Sequence, residues 1–318
     1  MIFLYLIIFV IACFVLIKSG GFLVKILIML SRYFKLTEYV FSFVLMAFAT
    51  SVPELFVGIT SGIRGLSNIS LGNIIGANLI NLTLTLGIIV IVSKGLKIQS
   101  KIAKKDAWIV LFISLLPLLL LFDKNLSRGE GVLLVLVFAW YIYRILKDKD
   151  AFHKRMDHMK RNVGAYIKLV KNFLYFFIAF IFLIISSLVV VETAKLIAIE
   201  LYLPLALVGI ILVAIGTSLP ELVFGVRAAV TKHEGLSLGT LIGSIVVNST
   251  FILGLVAIIH PIQLESLNVV YIGGFFMIVS ILLVNIFISS KEKISWKQGL
   301  FLILFYVAFL IVEFLFRG

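Results

Sequence analysis

Uncharged apolar stretches, each close to the length that a helix needs to cross a membrane, recur from one end of this sequence to the other. Residues 178–191 and 272–288, for example, contain no charged side chain. An apolar helix of about 20 residues spans the ~30 Å of hydrocarbon in a bilayer. Of the 318 residues, 62% are hydrophobic and 14% are charged, whereas soluble domains average about 45–50% and about 25%. The sequence therefore predicts an integral membrane protein.

Ten such stretches can be counted. The N-terminal one is interpreted as a retained helix, because it lacks the basic leader and the cleavage site of a secretory signal. The predicted spans are 2–31, 39–63, 70–93, 107–122, 129–146, 172–199, 204–230, 237–259, 268–289 and 297–316. Each half holds five, and because five is odd, the second half enters the membrane from the opposite side. The predicted fold is all-α, with ten transmembrane helices in two inverted five-helix repeats.

One long polar segment divides the chain near its middle and is too short to fold as a domain. The predicted organisation is a first half at 1–146, a cytoplasmic linker at 147–171 and a second half at 172–318. Of the 28 basic residues, 21 lie in or beside the loops that follow the odd-numbered spans. The positive-inside rule therefore places those loops in the cytoplasm and both termini outside the cell membrane.

Cysteine and basic residues argue against two other classes of function. The single cysteine, Cys13, lies in an apolar stretch, so neither a disulfide framework nor a thiolate metal site is expected. The net charge of +13 falls in short loops between apolar spans, which argues against nucleic acid as a partner. The expected partners are the lipid bilayer and small ions, and we expect the chain to function as a monomer.

Two segments that lie 167 residues apart repeat each other without a gap. Residues 45–87 and 212–254 are identical at 17 of 43 aligned positions. The most specific match is the run Thr-Ser-x-Pro-Glu, which ends at Glu54 in the first segment and at Glu221 in the second. Apolar sequences match by chance at leucine or isoleucine but not at such a run, so these segments form an internal repeat. The repeat predicts that spans 2, 3, 7 and 8 form the centre of the fold.

Both glutamates fall near the middle of predicted spans. A carboxylate at the centre of a bilayer costs a few kcal/mol, so an intramembrane acid indicates a functional site. Pro53 and Pro220 precede them, and because proline has no N–H, each is expected to break its helix and to free carbonyl oxygens in the preceding turn. Irregular backbone at membrane depth is tolerated where it lines a polar cavity.

Each repeat thus offers only hard oxygen donors. These are a carboxylate, backbone carbonyls, two hydroxyls and, 27 residues after the glutamate, an amide at Asn81 or Asn248. Oxygen ligands around two carboxylates suit Ca²⁺, which takes six to eight oxygens, and also suit Na⁺. None of these groups is a soft donor of the kind that selects zinc or copper. The sequence predicts a site for transported cations and no cofactor.

At these residues the sequence resembles the sodium/calcium exchanger family, within the cation/calcium antiporter superfamily, of the prokaryotic type with two α-repeats and no regulatory domain. That family carries G-T-S-x-P-E/D and then G-S-x-x-x-N/D in each α-repeat. The resemblance implies exchange of Na⁺ for Ca²⁺ by alternating access, with one Ca²⁺ or several Na⁺ competing for the paired glutamates. By position, it implies a calcium site made of Glu54, Glu221 and the carbonyls of Thr50 and Thr217. It implies sodium sites that use Ser51, Ser218, Ser244 and the carbonyls of Ala47 and Ala214, with Asn81 and Asn248 flanking the centre.

The chain departs from the family pattern at three positions. Ala49 replaces a glycine, and Asn248 is the amide form of an aspartate found in the potassium-dependent branch, which argues against K⁺ co-transport. Ala77 replaces the serine that the second repeat keeps as Ser244. Asn78 is near enough to substitute, but on a helix it points about 100° away from position 77. We expect weakened Na⁺ binding rather than a deleted site, so Ala77→Ser should lower the Na⁺ concentration for half-maximal exchange.

The sequence leaves two alternatives to Na⁺/Ca²⁺ antiport. A H⁺/Ca²⁺ exchanger of the same fold is possible because paired carboxylates also bind protons, although that branch usually replaces the Thr-Ser-x-Pro run with one that contains asparagine. A cation channel belongs to a different class, and channels usually form their filter between symmetric subunits. No Ser/His or His/Asp pair lies at a common membrane depth, so an enzyme is not expected.

Overall fold

Helices dominate the computed structural model, which describes residues 1–31, 46–98, 101–147, 163–264, 268–290 and 293–315. The helices of the first half are α1 (Ile2–Ser31), α2 (Ala47–Thr50), α3 (Val52–Ile63), α4 (Ser67–Ile80), α5 (Leu86–Val92), α6 (Lys101–Leu120) and α7 (Arg128–Lys147). Those of the second half are α8 (Val163–Glu200), α9 (Leu205–Val208), α10 (Ala214–Thr217), α11 (Leu219–Val230), α12 (Glu234–Val246), α13 (Leu253–Ile259), α14 (Asn268–Ser290) and α15 (Trp296–Leu315). Shorter connections are the π-helical segments Asn81–Thr85, Gly209–Val213 and Val247–Ile252 and the 3₁₀ turn Leu121–Asp123.

The protein is a multi-pass membrane protein. Seven helices of the described residues are long and apolar enough to cross a membrane, or eight if α9 to α11 count as one span bent by 41°. Through their π-helical segments, α4 and α5 form one span, Ser67–Val92, and α12 and α13 form another, Glu234–Ile259. Residues 39–45, which begin the second predicted span, lie outside the described residues, as does most of the predicted linker.

Two helices begin well before their predicted spans, by six residues or more. The first, α8, starts at Val163, within the predicted linker, and is 38 residues long, well beyond the ~20 that cross a bilayer. The second, α6, starts at Lys101 rather than at residue 107. Hydropathy detects only the part of a helix that lies in the membrane. A helix that continues into water with polar residues therefore looks shorter in the sequence than it is.

Each Thr-Ser-x-Pro-Glu run breaks its helix, as predicted. In the first repeat α2 ends at Thr50 and α3 begins at Val52, so Ser51 lies at the break. In the second repeat Ser218 takes the same place between α10 and α11. Each proline lies in the first turn of the helix after the break, where a missing N–H leaves no helical hydrogen bond unmade.

The predicted freeing of carbonyl oxygens is only partly correct. The Ala47 carbonyl accepts a hydrogen bond from the Ser51 N–H at 3.0 Å and one from Thr50 Oγ1 at 3.3 Å. The Ala214 carbonyl accepts from the Ser218 N–H at 3.0 Å, and Thr217 Oγ1 lies 3.5 Å from it. The break falls after these bonds, because the proline removes its donor two residues further along the chain.

Four two-residue strands, which the all-α prediction did not include, join the loops in the described residues. They are β1 (Leu96–Lys97), β2 (Asn125–Leu126), β3 (Ile262–Gln263) and β4 (Lys293–Ile294). The first pairs antiparallel with the fourth, and the second pairs antiparallel with the third. Segments this short show no alternation of apolar and polar residues, so the sequence carries no signal for them.

Contacts between the two halves are reciprocal across the 167-residue offset. Gly58 of α3 packs on Val256 of α13, and their counterparts Gly225 and Ile89 pack on each other. Likewise α2 packs on α12, and α10 packs on α4. The Ser67–Val92 and Glu234–Ile259 spans are 83% and 78% buried, whereas the spans in α7 and α15 are 22% and 28% buried. The repeat helices therefore form the centre of the protein.

Two long helices lie beside this centre. The N-terminal helix α1 packs along α8, and both contact α3. Their shared core is apolar, and it includes Phe9, Leu16, Val57, Leu183 and Val190. In this interface, the hydroxyls of Thr60 on α3 and Ser187 on α8 lie 2.9 Å apart.

Candidate ion-binding site

The two repeated glutamates meet in the centre of the protein. Glu54 lies in the first turn of α3, and Glu221 lies in the first turn of α11. Both side chains are 0% exposed, and the charge of Glu221 acts on Glu54. Among the described residues, no basic side chain forms an ion pair with either of them. The N-terminus of a helix favours a nearby negative charge, but two buried carboxylates without a cation remain costly.

Hydroxyl groups surround Glu221. Ser244 on α12 donates a hydrogen bond to Glu221 Oε1 at 3.3 Å. The Thr50 hydroxyl lies 3.3 Å from the Ser244 hydroxyl, so residues of both repeats contribute to this cluster. Within the ranges given above, Glu221 Oε2 and the hydroxyl of Ser51 have no hydrogen-bond partner. These buried oxygens are available as cation ligands.

The other half of the site differs from this arrangement. The Thr217 hydroxyl donates to Oδ1 of Asn73 on α4 at 3.0 Å. Ala77, at the position equivalent to Ser244, has no hydroxyl to offer. In the part of the chain that the structure describes, both oxygens of Glu54 and the hydroxyl of Ser218 lack a hydrogen-bond partner. Thr217 lies near the Glu54 carboxylate, but its hydroxyl donates to Asn73 instead.

The two predicted amides lie at the start of the π-helical segments of their spans. Asn81 is the first residue of one segment, and Asn248 is the second residue of the other. Nδ2 of Asn248 donates to Oδ1 of Asn78 at 3.2 Å, and Nδ2 of Asn78 donates to the Ser249 hydroxyl at 2.8 Å. For Asn81, neither polar side-chain atom has a partner among the described residues. A π-helical turn shifts the register of the residues that follow, and such turns often occur at functional sites.

All eleven predicted site residues are at most 2% exposed. Hydrogen bonds join Thr50, Ser244 and Glu221 directly, whereas Asn248 bonds to Asn78 instead. Asn73, which accepts from Thr217, was not among the predicted residues, although its position one helical turn before Ala77 places both on the same face of α4. That spacing was the available signal.

The side chains around the glutamates are hydroxyls and amides. No group of three or more His, Cys, Asp or Glu side chains that could hold a metal ion occurs among the residues that the structure describes. Any cation at this site would therefore combine two carboxylates with neutral oxygens, which is the ligand chemistry of Ca²⁺ and similar hard cations.

Known proteins resemble the chain over most of its length. The chain is 28% identical over 338 aligned positions to sodium/calcium exchanger MaX1 of Methanosarcina acetivorans, covering 94% of this chain and 95% of that protein. It is 27% identical to inner membrane protein YrbG of Escherichia coli over 243 positions, covering 75% and 74% of the two chains.

Solved structures show the same fold. A structure of the sodium-calcium exchanger NCX_Mj, soaked with 10 mM Na⁺ and zero Ca²⁺, superposes with a TM-score of 0.68 and 24% sequence identity. The superposition covers 97% of this chain and 98% of that chain. The family model described as sodium/calcium exchanger protein matches residues 4–147 and 171–315. The chain therefore belongs to the sodium/calcium exchanger protein family, which consists of transporters rather than enzymes.

Proposed function

We propose that this protein is a secondary active antiporter that exchanges Na⁺ for Ca²⁺ across the cell membrane. The observation that carries the proposal is the meeting of Glu54 and Glu221, two fully buried carboxylates from equivalent places in the two repeats. Without a basic partner among the described residues, the pair needs cations to offset its charge. One Ca²⁺ or two Na⁺ neutralise two carboxylates, so the two cargoes compete for one site.

The oxygen atoms at the site are sufficient for this role. The two carboxylates provide four oxygens. The hydroxyls of Ser51 and Ser218, which have no hydrogen-bond partner among the described residues, lie at the helix breaks beside them. Ca²⁺ takes six to eight oxygen ligands. The remaining proposed ligands are the hydroxyl of Ser244, the amides of Asn81 and Asn248, and the carbonyls of Thr50, Thr217, Ala47 and Ala214.

An inverted arrangement of two five-helix halves underlies the proposed alternating access. We assign residues 1–146 and 172–318 to the halves and 147–171 to a cytoplasmic linker, with ten spans and both termini outside. The strand pairs support this topology, because β1 and β4 lie in loops that the basic residues place in the cytoplasm. The other pair, β2 and β3, lies in loops assigned to the opposite side. Inverted repeats commonly place a transport site at the membrane midplane.

The proposed gating motion is a movement of α1 and α8 against the central helices. Their interface with the centre consists mainly of apolar side chains. Apolar contacts have no required direction, so the interface can form again after the helices shift. A hydrogen bond between Thr60 and Ser187 joins α3 to α8 and would have to break or exchange partners during that shift. Each monomer contains both repeats, so a single chain is sufficient for transport.

Reconstitution of the purified protein into proteoliposomes tests the proposal. Uptake of radiolabelled Ca²⁺ is measured with an outward Na⁺ gradient, with an outward H⁺ gradient and with neither. We expect uptake only with the Na⁺ gradient, and no uptake in any condition with Glu54→Gln. Uptake that follows the H⁺ gradient would assign the protein to H⁺/Ca²⁺ exchange instead. Uptake that needs no counter-gradient, and stops when the internal and external Ca²⁺ concentrations are equal, would identify a channel.

A further inference from the structure

Two equivalent threonines of the repeats have different partners. Thr50 Oγ1 lies 3.3 Å from the hydroxyl of Ser244. By the symmetry of the repeats, Thr217 should face residue 77, which is an alanine and has no hydroxyl. Instead, Thr217 Oγ1 donates to Oδ1 of Asn73 at 3.0 Å.

Asn73 is the polar side chain of α4 that is placed to compensate for Ala77. It lies four residues, about one helical turn, before Ala77, and its side chain is 0% exposed. Asn78 cannot take this role, because its Nδ2 donates to Ser249 and its Oδ1 accepts from Asn248. Both ends of the Asn78 side chain are therefore already used away from Thr217.

The second repeat has a different side chain at the position equivalent to Asn73. The residue equivalent to Asn73 is Thr240, and its hydroxyl donates to the Leu236 carbonyl of its own helix at 2.9 Å. Thr240 thus forms a hydrogen bond within its own helix, in the repeat that retains its serine at Ser244. The contact between the halves is Thr50 to Ser244 in one case and Thr217 to Asn73 in the other. In the repeat that has Ala77, the contacting side chain therefore lies one helical turn earlier.

We infer that Asn73 replaces the hydroxyl that Ala77 lacks, and that it positions Thr217 beside Glu54 as part of the Na⁺-binding half of the site. The inference rests on the proposed function and adds a specificity-determining residue to it. An amide oxygen has two lone pairs, so Oδ1 of Asn73 can accept from Thr217 and still face a cation. Because Thr217 points its proton at Asn73, the lone pairs of its hydroxyl stay free beside Glu54.

Cation titrations of the purified protein test this inference. The thermal unfolding midpoint is followed against the Na⁺ concentration, and separately against the Ca²⁺ concentration, for the wild type and for Asn73→Thr. Threonine is the residue that the second repeat has at the equivalent position, Thr240. We expect it to need roughly three- to ten-fold more Na⁺ for the half-maximal shift, the range that one lost hydrogen bond produces. Adding Ala77→Ser should bring that concentration back to within about two-fold of the wild type.

Two controls separate positioning from folding. Thr240→Ala removes the equivalent side chain of the second repeat, and we expect its Na⁺ requirement to match the wild type. A residue that only packs would lower the cation-free midpoint and leave the half-maximal Na⁺ concentration unchanged. That result for both Asn73→Thr and Asn73→Ala would overturn the inference. A double variant, Asn73→Thr with Ala77→Ser, that needs as much Na⁺ as Asn73→Thr alone would also overturn it. If neither Na⁺ nor Ca²⁺ shifts the wild-type midpoint, the proposed function itself is wrong, and the inference is overturned with it.

Discussion

The hydroxyl of Ser244 lies 3.3 Å from Oε1 of Glu221 and donates a hydrogen bond to it. The equivalent carboxylate, Glu54, has no hydrogen-bond donor on either oxygen within the described residues. A buried charged group that lacks donors costs more free energy than one that has them. The hydrogen bonding of the two carboxylates is therefore asymmetric, and the free-energy cost of burying a charge is larger for Glu54 than for Glu221.

Replacing the glutamates tests this asymmetry. Both Glu54→Gln and Glu221→Gln should abolish Ca²⁺ exchange and the rise in unfolding midpoint that Ca²⁺ produces, because each removes half of the site's charge. In the absence of cations, Glu54→Gln should raise the midpoint more than Glu221→Gln, since it removes the carboxylate that has no donor. Transport assays and thermal unfolding of the purified variants measure both effects.

Glu200→Gln is the matched control, because Glu200 lies at the exposed end of α8 with a side chain 43% exposed. It should leave exchange and the Ca²⁺-dependent shift unchanged. Substantial exchange by both glutamine variants of the buried pair would contradict the assignment of the site.

Ser244→Ala tests the bridge between the repeats. The substitution removes the donor to Glu221 and the neighbour of the Thr50 hydroxyl. A hydrogen bond to a charged group contributes about 1.5–3 kcal/mol, so we expect the half-maximal Na⁺ concentration for exchange to rise by about ten-fold or more. Ser280→Ala is the control, because the hydroxyl of Ser280 is buried and donates to the Phe276 carbonyl of its own helix. An equal effect of both substitutions would indicate a general loss of packing.

The sequence predicted the large features of the fold because each has a strong local cause. The helix breaks at Ser51 and Ser218 follow from the missing proline N–H two residues later. The span at Arg128–Lys147 agrees with the predicted 129–146 because hydropathy changes sharply at both ends. The π-helical segment at Asn81 and the two-residue strands depend on packing between halves, for which the sequence has no periodic signal.

All of the predicted site residues except Ser244 stand at positions where the two repeats agree. Thr50, Glu54 and their counterparts stand at identical positions in both repeats, and comparing the repeats was enough to find them. Asn73 was missed because the repeats differ there, and only the contact with Thr217 reveals its place. A departure from internal symmetry, such as Ala77, shows where to look for a replacement but not which residue provides it.

Asn78→Ala tests the amide bridge behind the site. Asn78 accepts from Asn248 and donates to Ser249, so the substitution removes two buried hydrogen bonds and leaves their partners unsatisfied. We expect the free energy of unfolding to fall by about 2–4 kcal/mol, at about 1–2 kcal/mol for each unsatisfied partner. Asn285→Ala is the control, because Nδ2 of Asn285 has no partner among the described residues, and it should cost less. An equal loss in both variants would show that the bridge contributes nothing beyond packing.

Cysteine labelling tests the proposed topology. Strand residue Lys293 and Lys124, which precedes β2, lie in loops assigned to opposite sides of the membrane. The native Cys13 is buried, so it should react little with a membrane-impermeant maleimide. In intact cells we expect Lys124→Cys to be labelled and Lys293→Cys to be labelled only after permeabilisation. The opposite pattern would reverse the orientation, and labelling of both in intact cells would contradict the span count between them.

Gly72→Ala tests the close approach of the two halves beside the site. A Cβ at Gly72 would overlap the carbonyl group of Ala206 on α9, and backbone atoms cannot turn aside as a flexible side chain can. The helices would have to separate, so we expect the free energy of unfolding to fall by about 1–3 kcal/mol and Ca²⁺ exchange to decline. Gly235→Ala, in the first turn of α12, provides the control, because its added Cβ meets nothing within 4 Å. It should raise stability slightly, since alanine favours helix by about 1 kcal/mol over glycine. Thermal unfolding measures both variants, and a Gly72→Ala protein as stable as the Gly235→Ala control would contradict the backbone contact between α4 and α9.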